Sequence, residues 1–590
     1  MKFGRKGKPM EKWTQNIYIQ PLLMCAAVVW TLDLQTSNIY AVFVLILLYW
    51  LVKTCHIEQT KSEKRVVALL SALFSVFWVA GSYEVYSWEG AAKILQYLIS
   101  VIGLYLLIEK ALSLLIHWLL SINLTADTVW KIKPWKFALL VFFICIVCWL
   151  PYFLAYYPGI ITDDAEWQLT QAIGLRSYSN HQPWIHTMIH KVFYQIGYSV
   201  FHTPNAGVAS CVLGQMVIMA GSYAYLLMTF YKEKMGKRFL VGCLIYFALF
   251  PINALYAVTL WKDVLLGAVV LLLSLSIWKM TKETCGVGNY IVFFLTGILL
   301  CILRSNGFYA YLLCVPFLIF FLKGKRKVVV PVCAVTIALT VIYKGPVLNY
   351  FHVAAPDTIE SLSIPAQHIA RVIADDGELT EEQRELLEKA VDVDQIKDVY
   401  FPTISDPIKT LVRQTGDQEY IAEHKGDYLK LWVELGLEYP ATYIKAQIDQ
   451  TKGYWYPDVQ YWVTTTMMKE NSWGMYRDSK LPNSIVDILD SLDEVNEKVP
   501  VLGLLWSIGF YTWTLLVLAG CAVCRKTSIL PFLPVLAILL SLFIATPVQA
   551  EFRYSYAMVT AMPLFIMIGC TKYTKEKKDG KNRSVDTVLQ

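Results

Sequence analysis

Residues 157–190 read YPGIITDDAEWQLTQAIGLRSYSNHQPWIHTMIH. The stretch follows an apolar run at 136–155, and the Pro158-Gly159 pair stops that run. Two adjacent carboxylates, Asp163 and Asp164, come next. They head a helical pattern with Glu166 in its first turn. A turn carrying His181 leads into a further apolar run that holds His186 and His190. Nowhere else does the chain gather so many potential proton-transfer groups beside an apolar span.

Around this stretch the chain is 56% hydrophobic with mean hydropathy +0.46. Only 17% of it is charged, against about 25% in a soluble domain. This is the composition of a multi-pass membrane protein. A spanning helix needs about 20 mostly apolar residues. By that rule about fourteen runs qualify: 17–32, 38–52, 66–83, 94–118, 136–155, 205–231, 239–258, 263–280, 290–303, 308–322, 328–344, 500–523, 529–545 and 555–571. The basic start of the chain lacks a small-residue cleavage site, so the first run reads as an uncleaved span. With the N-terminus cytoplasmic, the inner segments hold 30 Lys and Arg and the short outer loops hold three. That asymmetry predicts a plasma-membrane protein with both termini cytoplasmic.

The expected organisation is N-terminal membrane helices at 1–135 and a membrane core at 136–344 with its first outer loop at 156–204. An extracytoplasmic domain follows at 345–499, then C-terminal membrane helices and a tail at 500–590. Segment 345–499 carries 28 acidic residues and reads as mainly helical, with Thr380 an N-cap before EEQRELLEKAV. Its Trp432, Trp455, Trp462 and Trp473 suit core packing first, and a membrane rim or sugar faces second. The fold class is mostly α. All 13 cysteines avoid 156–204 and 345–499, and the CxxC pairs Cys145/Cys148 and Cys521/Cys524 read as packing residues. No P-loop, dinucleotide glycine pattern or HExxH occurs, and the net charge of +6 is spread over short loops. Nucleotide cofactors and nucleic-acid partners therefore have no support. His186 and His190 have the i, i+4 spacing of metal ligands, but no further pattern calls for a divalent metal, and no cofactor is required.

The three basic residues of the short outer loops are Lys262 in WKD, Arg304 in LRSNG and Arg553 in EFRY. The bland reading is snorkelling, or pairing with Asp263 or Glu551. Their shared face with Asp163 and Asp164 favours an anion site, because ionisable residues at membrane depth are functional candidates. For the two Asp residues the alternative is helix capping. Asp164, Gln168 and Gln171 share one helix face. A carboxylate can take a proton from an attacking hydroxyl, and rim cations can hold a lipid-linked phosphate as charge develops on it. Together they fit sugar transfer from a lipid phosphate to a hydroxyl.

YPG-x-x-TDD with Gln168, then YSNHQPWIHT, resembles the first outer loop of bacterial multi-pass glycosyltransferases of the GT-C superfamily. Further stretches are similar in the same order: TLWKDVLLG at 259–267, LRSNGFY at 303–309, ESLSIPAQHIAR at 360–371, YFPTISDPIK at 400–409, GYWYPD at 453–458 and EFRYSY at 551–556. The resemblance implies a polyprenyl-phosphate-sugar donor, inversion at the anomeric carbon, and Asp164, or its neighbour Asp163, as the base. It implies Arg304 and Arg553 near the lipid phosphate, with Lys262 a weaker third. Gln367 and His368 are expected to reach the site from the polar domain, with Glu166, Gln168, His181 and His186 as supporting groups. Gln182 stands where a second His is more usual. The acceptor is a cell-envelope glycan, glycolipid or protein.

The nearest rival is a polysaccharide polymerase or ligase using diphosphate-linked glycans. A lipid-linked sugar transporter or flippase expects repeats and charges inside spans, whereas here no repeat is evident, most spans are charge-free and the charges gather at one face. A glycosidase needs carboxylates about 5–9.5 Å apart across a bond, which adjacent helical residues do not obviously supply.

Overall fold

A computed structural model describes residues 18–34, 39–55, 57–87, 89–126, 130–459, 463–494 and 499–572. The basic N-terminus, Trp462 and the tail beyond 572 lie outside the described residues. The chain begins with α1 (Ile19–Thr31), α2 (Ile39–Thr54), α3 (Lys61–Gly81) and α4 (Gly90–Ser121). Thr60 and Glu63 form a reciprocal capping box at the start of α3. α4 is one unbroken 32-residue helix that runs through Glu109 and Lys110. Then come α5 (Pro134–Ala155), α6 (Asp163–Ala172), α7 (Trp184–Phe201) and α8 (Pro204–Lys232). α9 (Lys237–Leu249) and α10 (Pro251–Val258) meet at a 46° bend, where Pro251 removes a backbone donor. α11 (Lys262–Met280), α12 (Val287–Leu303), α13 (Gly307–Phe321) and α14 (Arg326–Ile342) follow.

Each of the fourteen expected apolar runs carries helix. In an apolar medium only internal backbone pairing is affordable, and Leu-, Val- and Phe-rich sequence supplies it as helix. α3, α4, α5, α8, α11 and the Lys323–Tyr350 segment around α14 are long and apolar enough to cross a membrane, and the bent α9–α10 pair makes a seventh if it is one span. α1, α2, α12 and α13 are among the apolar helices of 10–17 residues. They are shorter than the roughly 20 residues of a full span, so among the described residues six helices, or seven with the bent pair, meet the requirement by length and composition.

Segment 345–499 divides in two. Helices α15 (Ser363–Ala374), α16 (Glu381–Glu388), α17 (Asp406–Thr415), α18 (Lys425–Glu438) and α19 (Pro440–Thr451) share their own core of Ile369, Leu387, Ile408, Leu411, Leu431 and Leu435. Thr380 caps α16 in a full capping box. From Lys452 onward, the chain instead lies against the membrane-type helices. Tyr454, Trp455, Met475 and, on α20 (Asn483–Asp493), Leu489 join their core. α21 (Ile508–Cys524), α22 (Leu533–Ala545) and α23 (Phe552–Cys570) complete the chain. α11 and α23 are buried on nearly every side, as central helices must be when apolar all round. Thr560 Oγ1 on α23 donates to the Gly267 carbonyl on α11 at 3.0 Å.

The reactive-loop candidate is fixed by backbone pairing. Ile160 and Ile161 are fully buried. The Ile160 N–H donates to the Val258 carbonyl at 2.9 Å and its carbonyl accepts from Leu260 N–H. The Ile161 N–H donates to Met467 and its carbonyl accepts from Lys469 N–H at 2.8 Å. One extended residue pair is thus held between two segments remote in sequence. Gly159 precedes it with φ +153°, and a Cβ there would sit 2.6 Å from Val212 Cγ2. Gly159→Ala is expected to cost about 1–3 kcal/mol through strain and overpacking. A lowered thermal midpoint of the detergent-solubilised protein reads it; an unchanged midpoint removes the glycine requirement.

Candidate active site

The paired backbone places the head of α6 against the start of α11. The residue that caps α6 is Thr162, not either aspartate, and its side chain makes no cap. Thr162 Oγ1 instead accepts from Trp261 Nε1 at 2.8 Å. Asp163 and Asp164 occupy the first turn, where the helix dipole favours negative charge. Their side chains part company. Asp163 is two-thirds exposed and pairs with Lys469 at 2.6 Å. Asp164 turns inward and meets Arg553 Nη1 at 2.6 Å.

Arg553 holds Asp164 with one nitrogen and Glu551 with another, Nε to Oε1 at 3.0 Å. Its guanidinium stacks 5.0 Å from the Trp261 ring centroid. Arg304 pairs with Asp263 at 2.7 Å, nearly fully buried, over the Tyr554 ring at 4.4 Å. Lys262 Nζ donates to Gln182 Oε1. Thus two of the three cations are already neutralised by carboxylates, while the side chain of Lys262 makes its hydrogen bond to a neutral amide. The geometry reverses the expected ranking: Lys262 is the cation best able to take a new anion, and Arg304 the one most committed to the fold. The approach to Lys262 is fixed by Gln215 on α8, whose Nε2 lies 3.0, 3.1 and 2.7 Å from the carbonyls of Tyr256, Ala257 and Thr259.

Electrostatics follow from these contacts. Burial raises the Asp164 carboxyl, but the charges of Arg553 and Lys262 outweigh it, with His181 adding a smaller effect. The net result lies below the ordinary value of 3.8, so Asp164 is ionised at neutral pH. His181 also lowers the carboxyl of Glu360, which burial raises and which Lys409 and Arg413 hold down.

The supporting groups separate. Gln168 and Gln171 were expected on a polar stripe, and both are buried against α7 and its entry turn. Gln168 Oε1 accepts from His186 Nδ1 at 2.9 Å while its Nε2 faces Thr187 Oγ1 at 3.3 Å. That leaves His186 Nε2 a bare acceptor with no partner among the described residues, beside the His190 ring at 4.2 Å. Burial drops His190 to about 4 and, with His190 and Lys262 contributing, His186 well below 6.5. Both rings are neutral and hold no phosphate as cations. Glu166 is mostly buried, 3.9 Å from Arg176. Gln367 and His368 do not reach the site. Gln367 Nε2 donates to the Phe401 carbonyl and Gln450 Oε1, both at 2.9 Å. His368 is held by Trp432 and Gln447. Gln367 Nε2 and both His368 ring nitrogens are used inside the 358–451 unit, which a sequence motif does not reveal. Among the described residues no three His, Cys, Asp or Glu side chains come together as a metal set. Sequence reasoning missed Lys469 and Gln215 as parts of the site, whereas the pairing with Asp263 and Glu551 that it offered as the bland reading of the cations is present, at Arg304 and Arg553.

Residues 175–584 match a family described as Family of unknown function (DUF6020). The chain belongs to this family. The match includes Lys262, Arg304, Arg553 and Lys469, and begins just after α6. No curated protein and no solved structure matches the chain.

Arg553→Met leaves a half-buried carboxylate without its main partner, a loss of about 2 kcal/mol given that Asp164 keeps partial exposure. Because the folded-state carboxyl lies below 3.8, the pair contributes fully above that pH and is lost as pH falls through the lowered value. The stability gap between wild type and Arg553→Met should therefore be widest at neutral pH and shrink on acidification. Thermal midpoints across pH 3 to 7 check this; a gap that is constant or widens would exclude the ion pair as its source.

Proposed function

We propose that the protein is a membrane glycosyltransferase with a GT-C-like fold, in which the shorter apolar helices cross the membrane beside the six or seven long ones, for about fourteen membrane helices. It moves a sugar from a polyprenyl-phosphate donor to a hydroxyl of a cell-envelope glycan, glycolipid or protein. The observation that carries this reading is the Asp164 carboxylate held by Arg553 on the same wall as Lys262. Asp164 takes the proton as the acceptor oxygen attacks C1. The new C1–O bond forms on the face opposite the bond to phosphate, which breaks, so the anomeric centre inverts. Polyprenyl phosphate leaves with one more negative charge than it carried in the donor. Lys262 and Arg553 stabilise that charge, and Arg304 braces the wall through Asp263. Asp163, exposed and paired with Lys469, lines the acceptor side.

Charge balance supports a monophosphate donor over a diphosphate one. Lys262, Arg304 and Arg553 stand against Asp164, Asp263 and Glu551, so the cluster is neutral as built. A phosphodiester donor adds one negative charge to it, and a diphosphate-linked glycan adds two. The lysine and arginine asymmetry of the loops supports cytoplasmic termini and a site on the outer face of the plasma membrane.

Asp164→Asn should lower transfer by about 10²–10⁴-fold while the protein stays folded in the membrane, and Asp163→Asn should cost far less. Purified protein with a panel of radiolabelled polyprenyl-phosphate sugars, scored by release of polyprenyl phosphate, makes the measurement. Wild-type turnover in Asp164→Asn removes the base. Activity confined to diphosphate donors replaces the reading with a polymerase or ligase.

A further inference from the structure

The 358–451 unit encloses a cavity of about 110 Å³ among α15, α16, α17 and α18. Its walls are Ile359, Ala366, Ile369, Val391, Val412 and similar side chains. Apart from Lys425 at the rim, two lining residues carry polar tips, and both of these tips are already bound. Tyr428 Oη donates to the Leu386 carbonyl at 3.0 Å, and Trp432 Nε1 to His368 Nδ1 at 3.1 Å. A sugar or a peptide backbone has nothing to pair with there. An apolar void of this size stays dry and takes hydrocarbon.

The mouth opens at α18. Leu429 lines the cavity and is 58% exposed. One turn earlier Lys425, also lining and exposed, is the one charged residue of the wall. Beyond the mouth, Leu429, Val433 and Leu437 form a bare i, i+4, i+8 stripe, with Ile444 of α19 also exposed. The opposite face of α18, Leu431 and Leu435, is buried in the unit. A helix apolar on both faces needs a second apolar medium. That medium is continuous with the membrane-type helices. His368, bound to Trp432 of α18, donates from Nε2 to Gln447 Oε1 at 3.0 Å, and Gln447 Nε2 donates to the Phe543 carbonyl at 2.7 Å. Phe543 is in the last turn of α22, whose Leu540 and Ile544 are exposed apolar residues.

We propose that this cavity is a lipid-tail site: the hydrocarbon chain of an anionic membrane lipid enters past Leu429, with its head group at Lys425 and the α18 stripe resting on the bilayer. The cavity admits a short length of chain, so the site grips one segment and leaves the remainder in the bilayer. Occupancy here is independent of sugar transfer at Asp164, and the two readings fail separately.

Full-length protein in bilayer nanodiscs is photolabelled in two arms, one with a diazirine-bearing polyprenyl phosphate and one with a diazirine-bearing fatty-acyl phosphatidylglycerol. Cross-linked peptides are mapped by mass spectrometry. Label on α15, α17 or α18 is expected, and the arm that gives it identifies the chain as isoprenoid or fatty-acyl. Ala366→Trp fills the bore and should cut this label about tenfold, and Leu429→Glu puts a charge in an apolar mouth and should do the same. Should Ala366→Trp fail to fold, Leu429→Glu at its exposed position decides. Membrane-helix labelling serves as the internal standard. Absence of label on these helices in both arms, or label unchanged in Leu429→Glu, overturns the proposal.

Discussion

The site depends on the need to satisfy two buried peptide units. Ile160 and Ile161 have no solvent exposure, so each unpaired N–H or carbonyl there costs about 1–3 kcal/mol. Their four backbone groups are satisfied by two chain segments, 258–260 on one side and 467–469 on the other. Pairing at those two residues fixes what comes next on all three segments: Thr162 against Trp261, Asp163 against Lys469, and the head of α6 against the head of α11. The geometry of the candidate site is thus a by-product of backbone accounting, and no side chain of the cluster has to find its partner unaided.

Within that frame charge is nearly conserved. A buried ion pair is weak evidence for stability, since desolvation offsets most of its attraction, but breaking one is expensive. Arg304 and Asp263 are both almost wholly buried and fix each other. Arg553 divides itself between Asp164 and Glu551. A guanidinium can do this because its donors point in several fixed directions. Lys262, a point charge on a flexible stem, is left to a neutral amide. The division of labour between rigid arginine and adaptable lysine leaves the Lys262 ammonium hydrogen-bonded to the neutral Gln182 amide rather than to a carboxylate.

The apolar runs, the Asp163-Asp164 loop and the three cations in their loops were legible in the sequence because each is a local signal: a hydrophobic run, a helix stop, a charge beside a span. The pairing was not. Lys469 and Asp163 are 306 residues apart in sequence and meet through a backbone bridge that no composition encodes. The aspartates were read as possible caps, yet the chain gives that position to Thr162 and spends its hydroxyl on Trp261. The 345–499 segment was read as one domain because its polarity is uniform, whereas its halves differ in what they pack against. Gln367 and His368 illustrate the same limit: a conspicuous motif of polar residues turned out to satisfy neighbours inside a helical unit.

Those two residues nevertheless bear on the site. Gln367 binds Gln450, whose Nε2 donates to the Thr546 carbonyl at 3.1 Å, and His368 binds Gln447, which donates to Phe543. Ser405 N–H donates to Pro547 and Gln549 N–H to Thr403, both at 2.8 Å. Every one of these bonds from the 358–451 unit lands on residues 543–549, the turn that leads directly into Glu551 and Arg553. Tyr454 Oη adds two more, accepting from the Glu551 N–H and donating to the Val548 carbonyl. Carbonyls at the end of a helix have no intrahelical partner, so α22 needs these amides as much as the unit needs an anchor. The position of Arg553, and through it the charge on Asp164, is therefore set by how the polar unit seats on the end of α22, which makes Gln367 and His368 positioning residues for a site they do not touch.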